Sequence, residues 1–204
     1  MSALVAEVTV VDRDQVLWEM WKSSDEFEGY RVEILDEEGL TVSPTGNSRH
    51  ARINRRLLAA LVGHLQGSEW APGTDCNVIH GLKVFIPDVY VTPEDDEEIE
   101  HPDGLGLLAS GIPLVVETVS PGPKARTRDH LLKRCAYAAA AIPVYVIIDD
   151  YDEGGTVTIL TSPDPGRGEY LSTSRIPYGK EAVIPEGPAK GFVIGPEITG
   201  EPRG

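Results

Sequence analysis

The sequence predicts an α/β chain, α+β-like in detail: a mixed central β-sheet with flanking helices and antiparallel edge strands. Three observations carry this expectation. A strand–helix–strand unit spans residues 114–149. An amphipathic helix spans 49–66, with apolar residues on one stripe. The 21 glycines and 16 prolines fall between short alternating runs, which excludes a helical bundle.

Residues 12–28 are expected to form a helix or helical turn, because Val16, Leu17, Met20 and Trp21 recur at helical spacing. The runs Tyr30–Asp36 and Leu40–Ser43 alternate around Gly39 and read as a hairpin that Pro44 closes. In the next helix, Ile53, Leu57, Leu58, Leu61, Val62 and Leu65 form the stripe. Asn47 or Ser48 can cap its start and Gly67 ends it. Strands are expected over 75–79 and 83–91, and a loop over 92–111.

Leu114–Val119 is an apolar run with a single acid, and Ser120–Pro123 breaks it. An Ala- and Leu-rich helix follows over 127–141, then a buried strand over Pro143–Asp149. A right-handed crossover would make these two strands parallel. The runs 156–161, 169–174 and 192–194 read as edge strands. The expected organisation is a single domain over 1–204: a helical segment to residue 28, a core over 29–195 and a flexible tail over 196–204.

An apolar fraction of 41% and a charged fraction of 25% are ordinary for a globular chain. A net charge of −15 is not, and it argues against coating nucleic acid or an anionic membrane with the whole surface. No apolar run approaches a membrane span. Residues 1–11 lack a basic start followed by an apolar block, so no secretory signal is expected there. Cys76 and Cys135 sit in no zinc-binding spacing. They are expected to be reduced, inert thiols in a cytoplasmic protein, with Cys135 buried on its helix.

Two acids stand where burial is expected. Asp88 lies within Val84–Val91 and Glu117 within Leu114–Val119. A charge in an apolar strand is expensive unless it is paired or binds a metal. Two such acids on separate strands suggest one site, and hard oxygen donors of this kind suit Mg²⁺ or Mn²⁺. Either acid alone fits equally well as the partner of an arginine at a strand end. Asp129, Lys133 and Tyr137 follow at i, i+4 and i+8 on the next helix and share a face. That face is either a solvated salt bridge or an overhang above the carboxylates.

In order and context, Pro87-Asp88, Val116-Glu117-Thr-Val-Ser120-Pro121, Arg128-Asp129-x-x-x-Lys133-x-x-x-Tyr137 and Ile142–Asp149 resemble the Uma-two family of putative restriction endonucleases, within the PD-(D/E)XK nuclease superfamily. Val32–Asp36, Ser43-Pro44 and His50 extend the resemblance, which covers roughly residues 28–195. It implies a restriction-endonuclease-like core with Asp88 and Glu117 as metal ligands. The superfamily's usual lysine, two residues after the second acid, is Val119 here. The resemblance implies that Lys133, on the following helix, takes its place. Glu33 matches a further acid that either reaches the site or is an exposed hairpin carboxylate. Asp129 could hold the Lys133 ammonium, and Tyr137 could bond a phosphate or the lysine.

The expected activity is Mg²⁺- or Mn²⁺-dependent hydrolysis of DNA. The alternatives are an inactive interaction or regulatory protein that retains the fold, and an enzyme for a small phosphorylated substrate. Duplex cleavage would suit a homodimer with two sites. The charge pattern allows a local groove. Segments 47–66 and 120–148 each carry a net +4, which leaves −23 on the rest. Arg49, Arg52, Lys124, Arg126 and Arg128 are the expected nucleic-acid contacts on these segments. Glu94–Glu100 is an acidic block between the two strand acids in sequence, where the expectation is that it repels DNA.

Overall fold

A computed structural model describes residues 12–24, 30–44 and 46–202. Its elements are, in order, α1 (Arg13–Lys22), β1 (Tyr30–Glu33), β2 (Thr41–Pro44), α2 (Ser48–Leu65), β3 (Trp70–Gly73), β4 (Val78–His80), β5 (Lys83–Phe85), β6 (Val89–Pro93), β7 (Leu107–Leu108), β8 (Leu114–Thr118), α3 (Pro123–Thr127), α4 (Lys133–Ala139), β9 (Val144–Asp149), β10 (Thr156–Asp164), β11 (Glu169–Pro177), β12 (Ala182–Val183), β13 (Val193–Ile194) and α5 (Pro196–Thr199).

Six strands form the central sheet in the order β11-β10-β9-β8-β6-β3. β8 and β9 pair in parallel, as expected of a strand–helix–strand unit, and every other neighbouring pair is antiparallel. Alternation along each strand feeds two cores. On one face, Ile53, Leu57, Leu61 and Leu65 of α2 meet Val89, Val91, Leu114, Val116, Val146 and Ile148. On the other, Ala136, Tyr137 and Ala138 of α4 meet Tyr90, Val115, Tyr145, Ile147 and Leu160. The sheet is thus covered on both faces, which is why β8 and β9 read as nearly continuous apolar runs.

Asn47 caps α2, its side chain accepting from the amides of Arg49 and His50. The stripe on α2 is narrower than its sequence suggests, because Val62 is exposed. In α1 the buried face is Leu17, Trp18 and Trp21, while Val16 and Met20 face solvent. Residues 25–28 of the helix expected there lie outside the described residues. The Leu-Ala helix starts earlier than expected, at Pro123. Gly122 makes that start possible with a φ of 105°, which side-chain-bearing residues rarely adopt. A π-helical turn over Arg128–Leu132 separates α3 from α4.

Four further expectations are corrected. β3 was not expected; it carries Pro72 and survives because it lies at the sheet edge, where a missing amide is tolerated. β10 is an inner strand rather than an edge, flanked by β9 and β11. The expected tail begins with α5, whose Ile198 and Thr199 are buried. Cys135 is exposed, not buried.

Candidate active site

Three carboxylates reach one end of the central sheet from three strand ends. The pairing of β6 with β8 matches Val89 to Val116, so Asp88, just before β6, falls opposite Glu117. Glu33 ends β1, and the Ile34–Val84 bridge holds that hairpin against β5. The Ile86 amide donates to Glu33 Oε1 at 2.7 Å. All three side chains are buried.

Lys133 stands between two of them. Its ammonium donates to Glu117 Oε1 at 2.8 Å and to the Ile86 carbonyl at 3.1 Å, and lies 3.0 Å from Glu33 Oε1. The Tyr137 hydroxyl donates to the same Glu117 oxygen at 2.5 Å. Lys133 and Tyr137 are i and i+4 on α4, so one helix face delivers both groups to one carboxylate. Asp129 does not join them. It lies on the π-helical turn and pairs with Arg128 at 2.7 Å, while Tyr145 donates to its carbonyl. Tyr137 bonds Glu117 rather than the lysine, and no part of it reaches the surface.

Asp88 has its own partners. Arg31 Nη1 lies 2.5 Å from Oδ1; His50 Nε2 lies 2.8 Å from Oδ2, and the Thr118 amide donates to Oδ2 at 2.9 Å. The Thr118 hydroxyl donates to Asn54, whose amide meets the other His50 nitrogen. Asp88, His50, Asn54 and Thr118 therefore form a closed ring of hydrogen bonds. Gly46 belongs to this arrangement, because a Cβ there would collide with the His50 imidazole. Arg31, Asn54 and Thr118 are site residues that the sequence expectations do not include. Arg31 and Glu33 share a strand face at i, i+2, and His50 and Asn54 share a helix face at i, i+4; those spacings were the available signals.

The electrostatics follow from burial and pairing. Burial pushes the Asp88 carboxyl up, but His50, Arg31 and Lys133 outweigh it and hold the group well below the usual carboxylate range. Burial raises Glu117 from 4.5 to about 8, with Lys133 opposing and Asp88, Asp129 and Glu33 adding to the rise. Burial disfavours the Lys133 charge, yet Glu117, Glu33, Asp129 and Asp88 more than restore it and hold its pKa above the ordinary lysine value.

The model of the Uma2 family, described as putative restriction endonuclease, matches residues 18–195. This chain belongs to the Uma2 family. A crystal structure of a putative nuclease belonging to DUF820 from Anabaena variabilis superposes with a TM-score of 0.67 at 15% identity, covering 90% of this chain and 97% of that one. At that identity the likeness establishes the fold. No match was found among curated proteins.

The Uma2 chain's donor set is suited to a hard divalent ion. One buried oxygen, Glu33 Oε2, has no hydrogen-bond partner, an expensive condition for a carboxylate that an ion would relieve. No cage of three or more His, Cys, Asp or Glu side chains is preformed among the described residues. Mg²⁺ commonly takes one or two carboxylates and completes its shell with waters and phosphate oxygens. Asp88 opens onto a cavity of about 340 Å³, lined also by Arg31, His50, Asn54, Arg55 and Asp75.

The expected nucleic-acid contacts separate by environment. Arg52 and Lys124 are exposed. Lys124 and Arg128 line a groove of about 600 Å³ between β2 and the start of α3, with Pro44, Pro121 and Leu132. Arg49 is committed to Asp150 at 2.8 and 3.1 Å and to the Thr199 carbonyl. Arg126 makes two long contacts of 3.4 Å, to Asp149 and Asp152. Arg128 is held by Asp129 through Nε and Nη2. The acidic block is not beside the site. Glu94 follows β6 and Asp88 precedes it, so the length of the strand, roughly 20 Å over six residues, separates them.

Proposed function

We propose that this chain is a divalent-metal-dependent endonuclease that hydrolyses DNA phosphodiester bonds. One observation carries the reading: Glu33, Asp88 and Glu117 converge at one sheet end, with a single buried lysine between Glu33 and Glu117. In this reading Asp88 and Glu117 hold the ion, and Glu33 Oε2 is a further donor available to it. A bound divalent ion supplies a water acidic enough to attack at neutral pH and a positive charge on a phosphate oxygen.

The chain's own groups do the rest. Lys133 places a fixed positive charge beside Glu117, where it orients the attacking water and offsets charge developing on phosphorus. Tyr137 holds Glu117 in one rotamer through its hydroxyl. Arg31, His50 and the Thr118 amide fix Asp88 and keep it ionised. Exposed Arg52 and Lys124 attract the DNA backbone, and the chain's net charge of −15 makes binding weak and salt-sensitive. Cutting both strands requires two such sites, so a homodimer is part of the proposal.

A second reading, a non-catalytic interaction protein, is favoured by the same network. The Lys133 ammonium and the Asp88 carboxylate are already satisfied by protein partners. Nicking of supercoiled DNA in Mg²⁺ or Mn²⁺ separates the two. Wild type should nick and Glu117→Ala should not. Equal activity in both, or none in wild type with either ion, refutes the endonuclease reading.

A further inference from the structure

The end of the sheet that carries the acids continues past Glu117. β8 and β9 pair in parallel with Glu117 opposite Ile147. Asp149 ends β9 two residues later, which places its Cα roughly 8 Å from that of Glu117 on the same face of the sheet. Asp88, Glu117 and Asp149 thus stand in a row on three adjacent strands.

Asp149 is buried, and it holds a group that the proposed chemistry does not use. Its Oδ1 accepts from the Tyr151 amide at 2.8 Å. Its Oδ2 lies 2.9 Å from His130 Nε2 and 3.4 Å from Arg126 Nε. The carboxylate orients the imidazole through Nε2 and leaves Nδ1 on the side away from Asp149, where the imidazolium form donates to an anion. His130 is 32% exposed and Arg126 is 46% exposed. Arg126 is loosely held, because both its contacts are long and Asp152 is also engaged by Arg175 at 2.7 Å. A partly exposed imidazole and an under-committed guanidinium on one helical segment form a pair of donors suited to a phosphate oxygen.

We propose that His130, oriented by Asp149, and Arg126 form a second phosphate subsite, which takes a backbone phosphate of the DNA strand next to the one being cleaved. The inference rests on the endonuclease reading for the identity of the strand. The row of acids supplies the direction: a strand laid across the sheet end would pass from Asp88 over Glu117 to His130. The subsite fixes the position of the strand rather than its sequence, as phosphate contacts do.

The test is anisotropy of a fluorescein-labelled DNA duplex, with Ca²⁺ present, titrated with wild type, His130→Gln, Arg126→Gln and Arg167→Gln. Arg167 is exposed on the turn after β10, at the far end of the sheet, and gives the baseline for losing one remote charge. His130→Gln and Arg126→Gln should each weaken binding about fivefold relative to that baseline, the scale of one exposed charge pair. Arg126→Gln should also flatten the slope of log affinity against log salt by about 0.9, measured between about 50 and 200 mM NaCl. Affinities and slopes equal to those of Arg167→Gln overturn the subsite, as does a wild type that binds no DNA. Binding is read separately from nicking, so a wild type that shows the subsite effects yet never nicks refutes the endonuclease reading alone.

Discussion

Replacing Lys133 by methionine keeps most of the side-chain volume and removes the ammonium. The structure sets the size of the effect. Lys133 is buried and donates to Glu117, while lying 3.0 Å from Glu33. Without it, two buried carboxyls face each other with no cation between them. Removing one partner of a buried ion pair costs about 3–5 kcal/mol. For a chain of this size that lowers Tm by roughly 6–20 °C. The loss should also depend on pH. Glu117 is already raised from 4.5 to about 8 with the lysine present, and burial is the main cause. A carboxyl raised on folding contributes stability below pH 4.5, where both states are protonated or the folded one holds its proton more tightly. That contribution is lost as pH rises towards the folded value. Without Lys133 the folded value rises further, so the variant should be close to wild type near pH 4 and lose most stability by pH 8. Urea denaturation across that range measures it. A deficit under about 1 kcal/mol at pH 8, or one of equal size at pH 4, would refute the placement of Lys133 as the cation shared by two buried acids.

Other expectations follow from the same geometry. Asn47→Ala removes the acceptor for two amides at the start of α2 and should cost about 1 kcal/mol in thermal or urea unfolding, with the nicking pattern retained. Gly46→Ala drives a methyl into the His50 ring and should reduce nicking more than Asn47→Ala does, because it displaces a partner of Asp88. Arg49→Ala should destabilise by about 2 kcal/mol through its lost bonds to Asp150 and Thr199, while the salt slope for DNA stays at the wild-type value. Neutralising Asp95, Glu97 and Glu98 to amides should leave DNA affinity nearly unchanged, because that block lies a strand's length from Asp88 and is screened at physiological salt.

Much of the fold was legible in the chain because burial and periodicity are local properties. The stripe of α2, the apolar runs of β8 and β9 and the break at Ser120–Pro123 each follow from residues within one element. Asp88 and Glu117 stood out for the same reason, as isolated charges inside apolar strands. β3 was not legible, because Trp70-Ala-Pro-Gly violates strand patterning and is tolerated only at a sheet edge. The fate of the arginines was not legible either. Arg31 and Arg49 sit in ordinary polar positions of their own elements, and their acid partners are 57 and 101 residues away.

The sequence by itself determined an α/β chain with a parallel pair at its centre, two buried acids and a lysine four residues from a tyrosine. Tertiary structure decided which groups meet. Antiparallel pairing of β6 with β8 brought Asp88 level with Glu117 and carried the acidic block to the opposite end of the sheet. The π-helical turn gave Asp129 to Arg128 and left Lys133 between Glu117 and Glu33. Pairing across a sheet depends on register, and register is set by contacts between segments far apart in the chain.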